Sequence, residues 1–453
     1  MPVAPASPSP FPAHSPPLWR QLQAAAGVVA AVRAGRSTTA LFEHLEPGLR
    51  GGVQALSFHA LRWLGLAQAL RAQLASRQPS PEVDALLCTA LALAARPQEG
   101  QGADQALHTL VSQAVEAAKQ SPDTCHQASF VNGCLRRFLR EQEALVQVAS
   151  QQPQALWNHP DWWIKRLRLD HPQHWQSILQ ASNSRAPLTL RINPRRVSQA
   201  QYLADLAAAG LDARPVGAQG VVLLKSVAVP SLPGYAQGHF SVQDAGAQLA
   251  APLLLEGLPL SAGPLRLLDA CAAPGGKTAH LLELAHAQVL ALDVDARRCQ
   301  RITDNLSRLG LSAQVQAADA ADTAAWWDGQ AWDGILLDAP CTASGIVRRH
   351  PDVRWLRRPT DVVQLAAQQK RLLHALWPLL KPGGQLLYCT CSVFKAEGEQ
   401  QIQTFLAHHT DAQMRPSPGH LLPGAAAPEP HLPDNPSGEH DGFYYARLVK
   451  RGA

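Results

Sequence analysis

The sequence predicts a multidomain protein in which an all-α bundle, a small α+β linker module and a C-terminal α/β domain follow one another. Its 453 residues are too many for one hydrophobic core. The N-terminal third has apolar residues at helical spacing and no strand signals. From about Gly263, short apolar runs alternate with helical patterns, which is typical of a parallel sheet covered by helices.

The composition, with 46% hydrophobic and 17% charged residues, is that of a globular protein. A net charge of +5 favours an anionic partner, although dedicated nucleic-acid binders are more basic. Eight scattered cysteines do not resemble the dense pairing of small secreted domains. No apolar run approaches the about 18 residues of a membrane span. We therefore expect a cytoplasmic monomer with no membrane partner.

Residues 1–17 are rich in proline and serine. They contain no lysine or arginine and no apolar run of the kind that a signal peptide has. They are predicted to be a disordered tail rather than a signal peptide.

Residues 18–148 are predicted to form the helical bundle. Its clearest helical segments are 53–74, 81–95, 104–120 and 129–146. Ser129 is the predicted N-cap of the last segment. Arg136, Arg137 and Arg140 lie along one helical turn, and their spacing alone favours an ordinary solvated face.

Residues 149–235 are predicted to form the α+β module. A strand, a helix and a second strand are predicted at 187–196, 198–211 and 220–226. Arg191, Arg195 and Arg196 cluster around the end of the first strand. An RNA-facing role and a solvated loop are equally compatible with this cluster.

Residues 236–453 are predicted to form the α/β domain, where ligands bind at the carboxyl ends of the strands. Four predicted strands end in acidic residues: Asp269, Asp293, Asp319 and Asp338. Acids without a lysine-rich phosphate cradle suit a nucleoside ligand that has no phosphate. S-adenosylmethionine is such a ligand, and its sulfonium favours nearby carboxylates.

The first strand-end loop reads "LLDACAAPGGKTAH" (267–280). It is not a P-loop, because Cys271 stands where that motif requires glycine, and no dinucleotide-binding GxGxxG is present. Its diglycine opens a helix and lets a ligand approach the backbone closely. Asp293 is placed to bind ribose hydroxyls, and Asp319 is placed near an adenine.

Two cysteines, Cys341 and Cys391, follow the fourth strand and the next strand along the chain. If those strands are neighbours, both thiols face one pocket. Thiolate attack at carbon 6 of a pyrimidine turns carbon 5 into a nucleophile that can accept a methyl group. Zinc binding and a redox pair are weaker alternatives because the spacing is not CxxC. Core packing best explains Cys389, and chemistry alone does not rank the other two thiols.

The loop "LLDAPCTASGIVRRHPDVRWLRR" (336–358) interleaves arginines with Trp355. Such a pattern suits a single-stranded or flipped nucleotide. A solvated arginine loop is the alternative, and the loop's origin at a predicted active-site edge favours the nucleotide.

Three motifs, "DACAAPGGKT", "LDAPCTASG" and "YCTCS", resemble in order and spacing those of RNA cytosine-5 methyltransferases, the RsmB/NOP/Sun family. The resemblance is most specific over about 230–453. Upstream, "SFVNGCLRR" is similar to the NusB-like RNA-binding domain, and "NHPDWWIKRL" is similar to the linker that follows it. The resemblance therefore implies a NusB-like bundle and a Rossmann-like S-adenosylmethionine-dependent methyltransferase domain, with 16S rRNA, naked or in an early assembly intermediate, as partner.

The family's residue roles carry over onto matching positions. The resemblance implies that Cys391 is the nucleophile and that Cys341 assists release of the methylated product. It implies no metal, and it places Asp338 near the target base as well as the cofactor. The implied cofactor-binding residues are Cys271, Ala272, Ala273, Pro274, Gly275, Gly276, Lys277, Asp293, Asp319 and Asp338. Gly398 departs from the family, whose members often have asparagine there.

Two alternatives remain beside an rRNA methyltransferase. The first is a tRNA cytosine-5 methyltransferase, against which the NusB-like start argues. The second is a non-catalytic RNA-binding or ribosome assembly factor, against which the intact thiols and cofactor loop argue.

Overall fold

The computed structural model describes residues 16–97, 103–225, 227–424 and 439–452. The predicted disordered tail lies outside the described residues except for its last two positions. The chain divides into two compact units. Unit 1 comprises the described residues up to Lys165 together with His350–Arg357, and unit 2 comprises Arg166–Arg349 and the described residues from Arg358 onward.

The helices, in chain order, are α1 (Leu18–Arg33), α2 (Thr38–Glu43), α3 (Pro47–Arg62), α4 (Leu64–Leu74), α5 (Pro81–Ala95), α6 (Ala103–Lys119), α7 (Ala128–Ala149), α8 (Pro153–Trp157), α9 (Asp161–Asp170), α10 (Trp175–Ser182), α11 (Gln199–Ala208), α12 (Ala250–Leu255), α13 (Gly276–Leu284), α14 (Ala296–Leu309), α15 (Val353–Leu356), α16 (Pro359–Leu376) and α17 (Glu399–His408). The strands are β1 (Leu188–Ile192), β2 (Ala213–Val216), β3 (Gly220–Leu223), β4 (Phe240–Val242), β5 (Leu265–Asp269), β6 (Ala287–Asp293), β7 (Gln314–Ala317), β8 (Trp332–Asp338), β9 (Leu380–Thr390), β10 (Ala412–Leu421) and β11 (Phe443–Lys450). Among the described helices, none is long and apolar enough to cross a membrane.

Unit 1 is helical, as the apolar spacing predicts. Its core is built from buried alanine, leucine and valine side chains of α1, α3, α4, α5 and α7. The predicted helix at 53–74 is broken at Trp63, whose φ of −111° and ψ of 18° are not helical. Helix α4 begins directly after this break. Its first turn is capped by Asn158, whose side-chain oxygen accepts from the Leu66 N–H at 2.9 Å. Nothing in the apolar period reveals this break, because both halves present the same stripe.

The predicted N-cap at Ser129 is wrong. Helix α7 begins at Ala128, and a 3₁₀ turn at Cys125–Gln127 leads directly into it. The Ala128 N–H donates to the Cys125 carbonyl. The backbone of the preceding turn therefore does what a capping side chain would do.

The α+β module contains a four-stranded antiparallel sheet in the order β2-β3-β1-β4. The predicted strands at 187–196 and 220–226 are found as β1 and β3, and the predicted helix is found as α11. The short edge strands β2 and β4 were not predicted, since runs of four and three residues give little pattern.

The α/β domain contains a seven-stranded sheet in the order β10-β11-β9-β8-β5-β6-β7. Strands β5 to β9 are parallel to one another, and β11 and β10 extend the sheet antiparallel. Alternate residues feed two buried clusters, so that Leu336 and Leu387 pack on one face while Ile335 and Leu386 pack on the other. Helices on both faces therefore leave the carboxyl ends of the strands as the open edge.

A buried ion pair joins the module to this domain within unit 2. The Arg191 guanidinium on β1 makes two bonds to the Glu283 carboxylate of α13, at 2.8 and 3.0 Å. The same guanidinium donates to the Gly276 carbonyl at 2.7 Å, at the start of that helix. Arg191 is fully buried, so it lies neither in a solvated loop nor on an RNA-facing surface.

We expect Arg191→Met to lower the free energy of unfolding by about 3–5 kcal/mol, because it leaves the Glu283 charge buried without its partner. Denaturant unfolding followed by circular dichroism measures this. The control is Arg137→Met, which removes an exposed pair with Glu141 and should change stability by less than about 1 kcal/mol. The double variant Arg191→Met/Glu283→Leu should recover much of the loss. A double variant no more stable than the single one would contradict the role given to the ion pair.

Candidate active site

Cys341 and Cys391 meet at the carboxyl end of the sheet. Their sulfur atoms lie 3.4 Å apart, and both residues are half-buried. Strands β8 and β9 are parallel neighbours, with Asp338 opposite Cys389, so the chain leaves both strands at the same level. The Gly345 N–H donates to the Cys391 carbonyl at 2.9 Å and links the two loops. The predicted proximity of the two thiols is confirmed.

Cys389 is fully buried and packs in the core, as predicted. Its sulfur lies 3.5 Å from one oxygen of Asp338, and the Lys277 ammonium lies 2.5 Å from the other. This ion pair connects the first strand-end loop to the cysteine strands. Lys277 and Asp338, both predicted to bind the cofactor, therefore contact each other beside the thiols.

The charges around the two thiols differ. Burial alone disfavours the Lys277 ammonium, but the Asp338 carboxylate and the Cys389 and Cys391 sulfurs together raise the pKa of Lys277. The hydrogen bond with Cys391, burial and the charge of Glu397 raise the pKa of the Cys341 thiol well above its ordinary value. The protonated form of the Cys341 thiol is therefore favoured over its thiolate.

Glu397 was not predicted from the sequence. It lies in the 3₁₀ turn before α17, is fully buried, and accepts bonds from Thr342 and Ser392, the residues that follow the two cysteines. A glutamate in "KAEGEQQ" carries no sequence signal for such a position. Only the meeting of the two loops reveals it.

The first strand-end loop turns sharply into α13. Gly275 has a φ of +92°, and a Cβ there would lie 3.0 Å from the Ile302 side chain. The Asp269 carboxylate beneath the loop is fully buried and accepts from the Thr278 hydroxyl at 2.6 Å. Burial raises the pKa of Asp269 to about 7. Among the described residues, its other carboxylate oxygen finds no hydrogen-bond partner.

Asp293 also holds this loop. Its carboxylate accepts from the Ala273 N–H at 3.4 Å and pairs with Arg298 at 3.3 Å. Next to it, the Val294 side chain is 72% exposed, an apolar group at the open edge that was not predicted. Asp319 is exposed and pairs with Arg371 at 2.8 Å, and the N–H of the preceding Ala318 donates to the Asp293 carbonyl at 3.0 Å.

The predicted nucleotide-facing role of the loop at 336–358 is wrong for its first two arginines. Arg348 is buried and its guanidinium bonds the carboxylate of Asp441. Arg349 bonds the same carboxylate at 2.5 Å and Asp244 at 2.8 Å. These ion pairs attach the loop to the segments before α12 and before β11. The two guanidinium groups are therefore already bonded within the protein.

The middle of that loop belongs to unit 1. Arg354 is fully buried and donates to the Asn158 carbonyl at 3.1 Å, while the Trp355 indole donates to the Leu61 carbonyl at 2.7 Å. Arginine and tryptophan here satisfy backbone carbonyls instead of stacking on a base. Within unit 1, the predicted solvated face is confirmed, because Arg136, Arg137 and Arg140 are all exposed.

Gly398 lies where an asparagine would not fit. A Cβ at this position would lie 2.7 Å from the Tyr444 ring and 2.9 Å from the His420 ring. Glycine at this position, where the family often has asparagine, therefore allows the Tyr444 and His420 rings to pack closely against the backbone. Across the described ranges, no group of three or more His, Cys, Asp or Glu side chains could hold a metal ion.

Comparisons with known proteins agree with this fold. Residues 262–449 match the family described as 16S rRNA methyltransferase RsmB/F, and residues 159–230 match the RsmF/B-like ferredoxin-like domain. The ribosomal RNA small subunit methyltransferase B of Pseudomonas syringae is 40% identical over 95% of this chain and 97% of that protein. The protein of the same name from Klebsiella pneumoniae is 45% identical over 71% and 72%.

Solved structures share the architecture. The crystal structure of PH0851 has a TM-score of 0.72 and 22% identity, covering 95% of this chain and 99% of that one. A methyltransferase homolog from Pyrococcus horikoshii has a TM-score of 0.54 and 26% identity, covering 66% and 97%. Unit 2 thus has the fold of a methyltransferase. The chain belongs to the 16S rRNA methyltransferase RsmB/F family.

We expect the stability of the protein to fall relative to that of Asp269→Asn as the pH rises from about 4 to about 7. The folded state holds the Asp269 proton more tightly than the unfolded state, so ionisation opposes folding by up to about 4 kcal/mol above pH 7. Asparagine keeps the bond from Thr278 without titrating. Melting temperatures of both proteins across this pH range measure the difference.

The control for this experiment is Asp319→Asn. Partial burial raises the pKa of Asp319, but the bonds from the Ala321 N–H and from Arg371 outweigh burial and lower this pKa overall. Its substitution should therefore give a small trend of the opposite sign. Parallel pH profiles for the wild type and Asp269→Asn would contradict the raised pKa of Asp269.

Proposed function

We propose that the protein transfers the methyl group of S-adenosylmethionine to carbon 5 of a cytosine in 16S rRNA, through a covalent cysteine adduct at carbon 6. The observation that carries this proposal is the 3.4 Å contact between the Cys341 and Cys391 sulfurs at the open edge of the sheet. Methyl transfer to a nitrogen or oxygen needs no sulfur nucleophile. Two thiols at the site therefore favour methylation of carbon.

Carbon 5 of cytosine is a poor nucleophile until the ring is activated. A thiolate that adds to carbon 6 converts the ring into an enamine, and carbon 5 then takes the methyl group. Removal of the proton on carbon 5 restores the double bond and breaks the sulfur–carbon bond. The chain must therefore supply a nucleophile, a stabilised ring and help in release.

Cys391 is proposed as the nucleophile and Cys341 as the residue that assists release. The environment supports this order, because the hydrogen bond with Cys391 and burial raise the pKa of the Cys341 thiol, which makes Cys341 the poorer nucleophile. Asp338, held by Lys277 at 2.5 Å, is proposed to bind the target base as well as the cofactor.

The loop from Cys271 to Lys277, with Asp293, Asp319 and Asp338, is proposed to hold S-adenosylmethionine, which supplies the electrophilic methyl group. The donor set fits, because strands β5, β6 and β8 each end in a carboxylate, Asp269, Asp293 and Asp338. The unpartnered oxygen of Asp269 and the exposed Val294 offer an acceptor and an apolar surface at the same edge. No metal is proposed.

The substrate class is proposed from the relatives, which are named as small-subunit rRNA methyltransferases. Residues 18–148 are proposed as a NusB-like RNA-binding domain, residues 149–235 as a second RNA-binding module and residues 236–453 as the catalytic domain. The exposed side chains of Arg136 and Arg140 are proposed to supply positive charge for phosphates.

We expect Cys341→Ala to accumulate a covalent protein–RNA adduct that survives denaturing electrophoresis, because attack remains possible and release is blocked. Cys391→Ala should form no adduct and lose methyl transfer by more than about 10³-fold, as when a nucleophile is removed from other covalent enzymes. The assay uses labelled S-adenosylmethionine and 16S rRNA, followed by bisulfite sequencing to locate the product.

The matched control is Cys125→Ala, an exposed cysteine of unit 1, which should leave both readouts unchanged. An adduct in Cys391→Ala would reverse the two roles. Transfer to tRNA but not to 16S rRNA would point to the tRNA enzyme. Absence of any transfer, with RNA still bound, would favour a non-catalytic assembly factor.

A further inference from the structure

One buried carboxylate lies behind both cysteine loops. Glu397 is fully buried, and one of its oxygens accepts from the Thr342 hydroxyl at 2.5 Å and the Ser392 hydroxyl at 2.6 Å. Its other oxygen accepts from the Thr342 N–H at 2.8 Å. Because Thr342 follows Cys341 and Ser392 follows Cys391, one side chain bonds both loops at the residues next to the thiols.

Neighbouring groups reinforce this link. Gln369 of α16 donates to Glu397 at 3.3 Å and to the Pro340 carbonyl at 2.9 Å, directly before Cys341. The Ser344 and Ser392 hydroxyls lie 2.9 Å apart, which adds a second bridge between the loops. All of these contacts are made by buried side chains.

The backbone of Glu397 is itself fixed to β9. Its carbonyl accepts from the Tyr388 hydroxyl at 2.7 Å and from the Thr390 hydroxyl at 3.3 Å. The carboxylate is thus held on the same strand that delivers Cys391. A shift of this side chain would move the Cys341 loop relative to that strand.

We propose that Glu397 is the positioning residue that fixes the distance between the Cys341 and Cys391 sulfurs by bonding both loops at once. The proposal rests on the proposed function for its catalytic meaning, since two thiols that act in turn on one base must keep their spacing. Glu397 touches neither sulfur in the contacts above and acts through Thr342 and Ser392.

The geometry distinguishes the effects of two substitutions. In Glu397→Gln, the amide oxygen can accept from the Thr342 N–H and Gln369, while the amide nitrogen can donate to the two hydroxyls. The link between the loops then survives. In Glu397→Ala, all of these bonds are lost and buried donors are left unsatisfied.

Thiol spacing is measurable without any catalysis. Phenylarsine oxide condenses with two nearby thiols, forming two As–S bonds and releasing one water, with no change in oxidation state. Its affinity for the full-length protein, titrated by fluorescence and mapped by mass spectrometry, reports the Cys341–Cys391 spacing. Cys341→Ala gives the background from the other cysteines.

We expect Glu397→Ala to weaken arsenical binding at this pair by at least about tenfold and to lower kcat by about 10²-fold, as a displacement near 1 Å does at an active site. The KM for S-adenosylmethionine should change less than about twofold, because the proposed cofactor loop is held by other residues. Glu397→Gln should keep arsenical binding near the wild-type level. Thr342→Val, which removes one tether and keeps the backbone bond, should give an intermediate loss of both quantities.

The matched control is Glu399→Gln, which removes a half-buried carboxylate from the same segment, where it pairs with Lys395 at 3.1 Å. It should leave arsenical binding and kcat unchanged. If Glu397→Ala does not fold, Glu397→Gln and Thr342→Val still decide the question.

Unchanged arsenical binding in Glu397→Ala or Thr342→Val would overturn the positioning role, as would failure of the wild type to bind the reagent at this pair. A loss in Glu397→Gln equal to that in Glu397→Ala would also overturn it, since the tether would then not be the cause. If the wild type binds the arsenical as expected but methylates no RNA, the proposed function fails while the link between the loops stands.

Discussion

The parallel pairing of β8 with β9 is the constraint on which the site depends. Because Asp338 lies opposite Cys389, the chain leaves both strands at one level and brings Cys341 to 3.4 Å from Cys391. Each loop leaves the sheet with backbone groups that need hydrogen-bond partners. The Gly345–Cys391 backbone bond and the Glu397 carboxylate satisfy those groups across the gap.

Charged groups of opposite sign lie near the two thiols. Lys277 comes from the first strand-end loop and pairs with Asp338 at 2.5 Å, whereas Glu397 accepts bonds from Thr342 and Ser392, the residues that follow Cys341 and Cys391. The same ion pair that places Lys277 also places Asp338. The first strand-end loop is thus linked by an ion pair to the end of β8, and the Arg191–Glu283 pair holds α13, the helix that follows this loop.

Much of this architecture could be predicted because it repeats along the chain. Apolar runs recur along the parallel sheet, and strands β5, β6 and β8 end in aspartate. The two thiols follow adjacent strands, so their proximity was predictable. The nucleotide-facing prediction is wrong for Arg348 and Arg349, since their partners Asp244 and Asp441 are about a hundred residues distant in sequence. Glu397 was missed for the same reason: its importance comes from loops that meet only in the folded chain. The break at Trp63 left the apolar period intact and so gave no signal.

The central claim is that Cys391, not Cys341, bonds to the target base. The wild-type protein can be reacted with S-adenosylmethionine and 16S rRNA transcribed with 5-fluorocytidine, in which fluorine replaces the proton that must leave carbon 5, so that the adduct persists. Nuclease and protease digestion followed by tandem mass spectrometry identifies the modified peptide. We expect the nucleotide to be attached to the peptide that contains Cys391. A nucleotide on the peptide that contains Cys341 would contradict it.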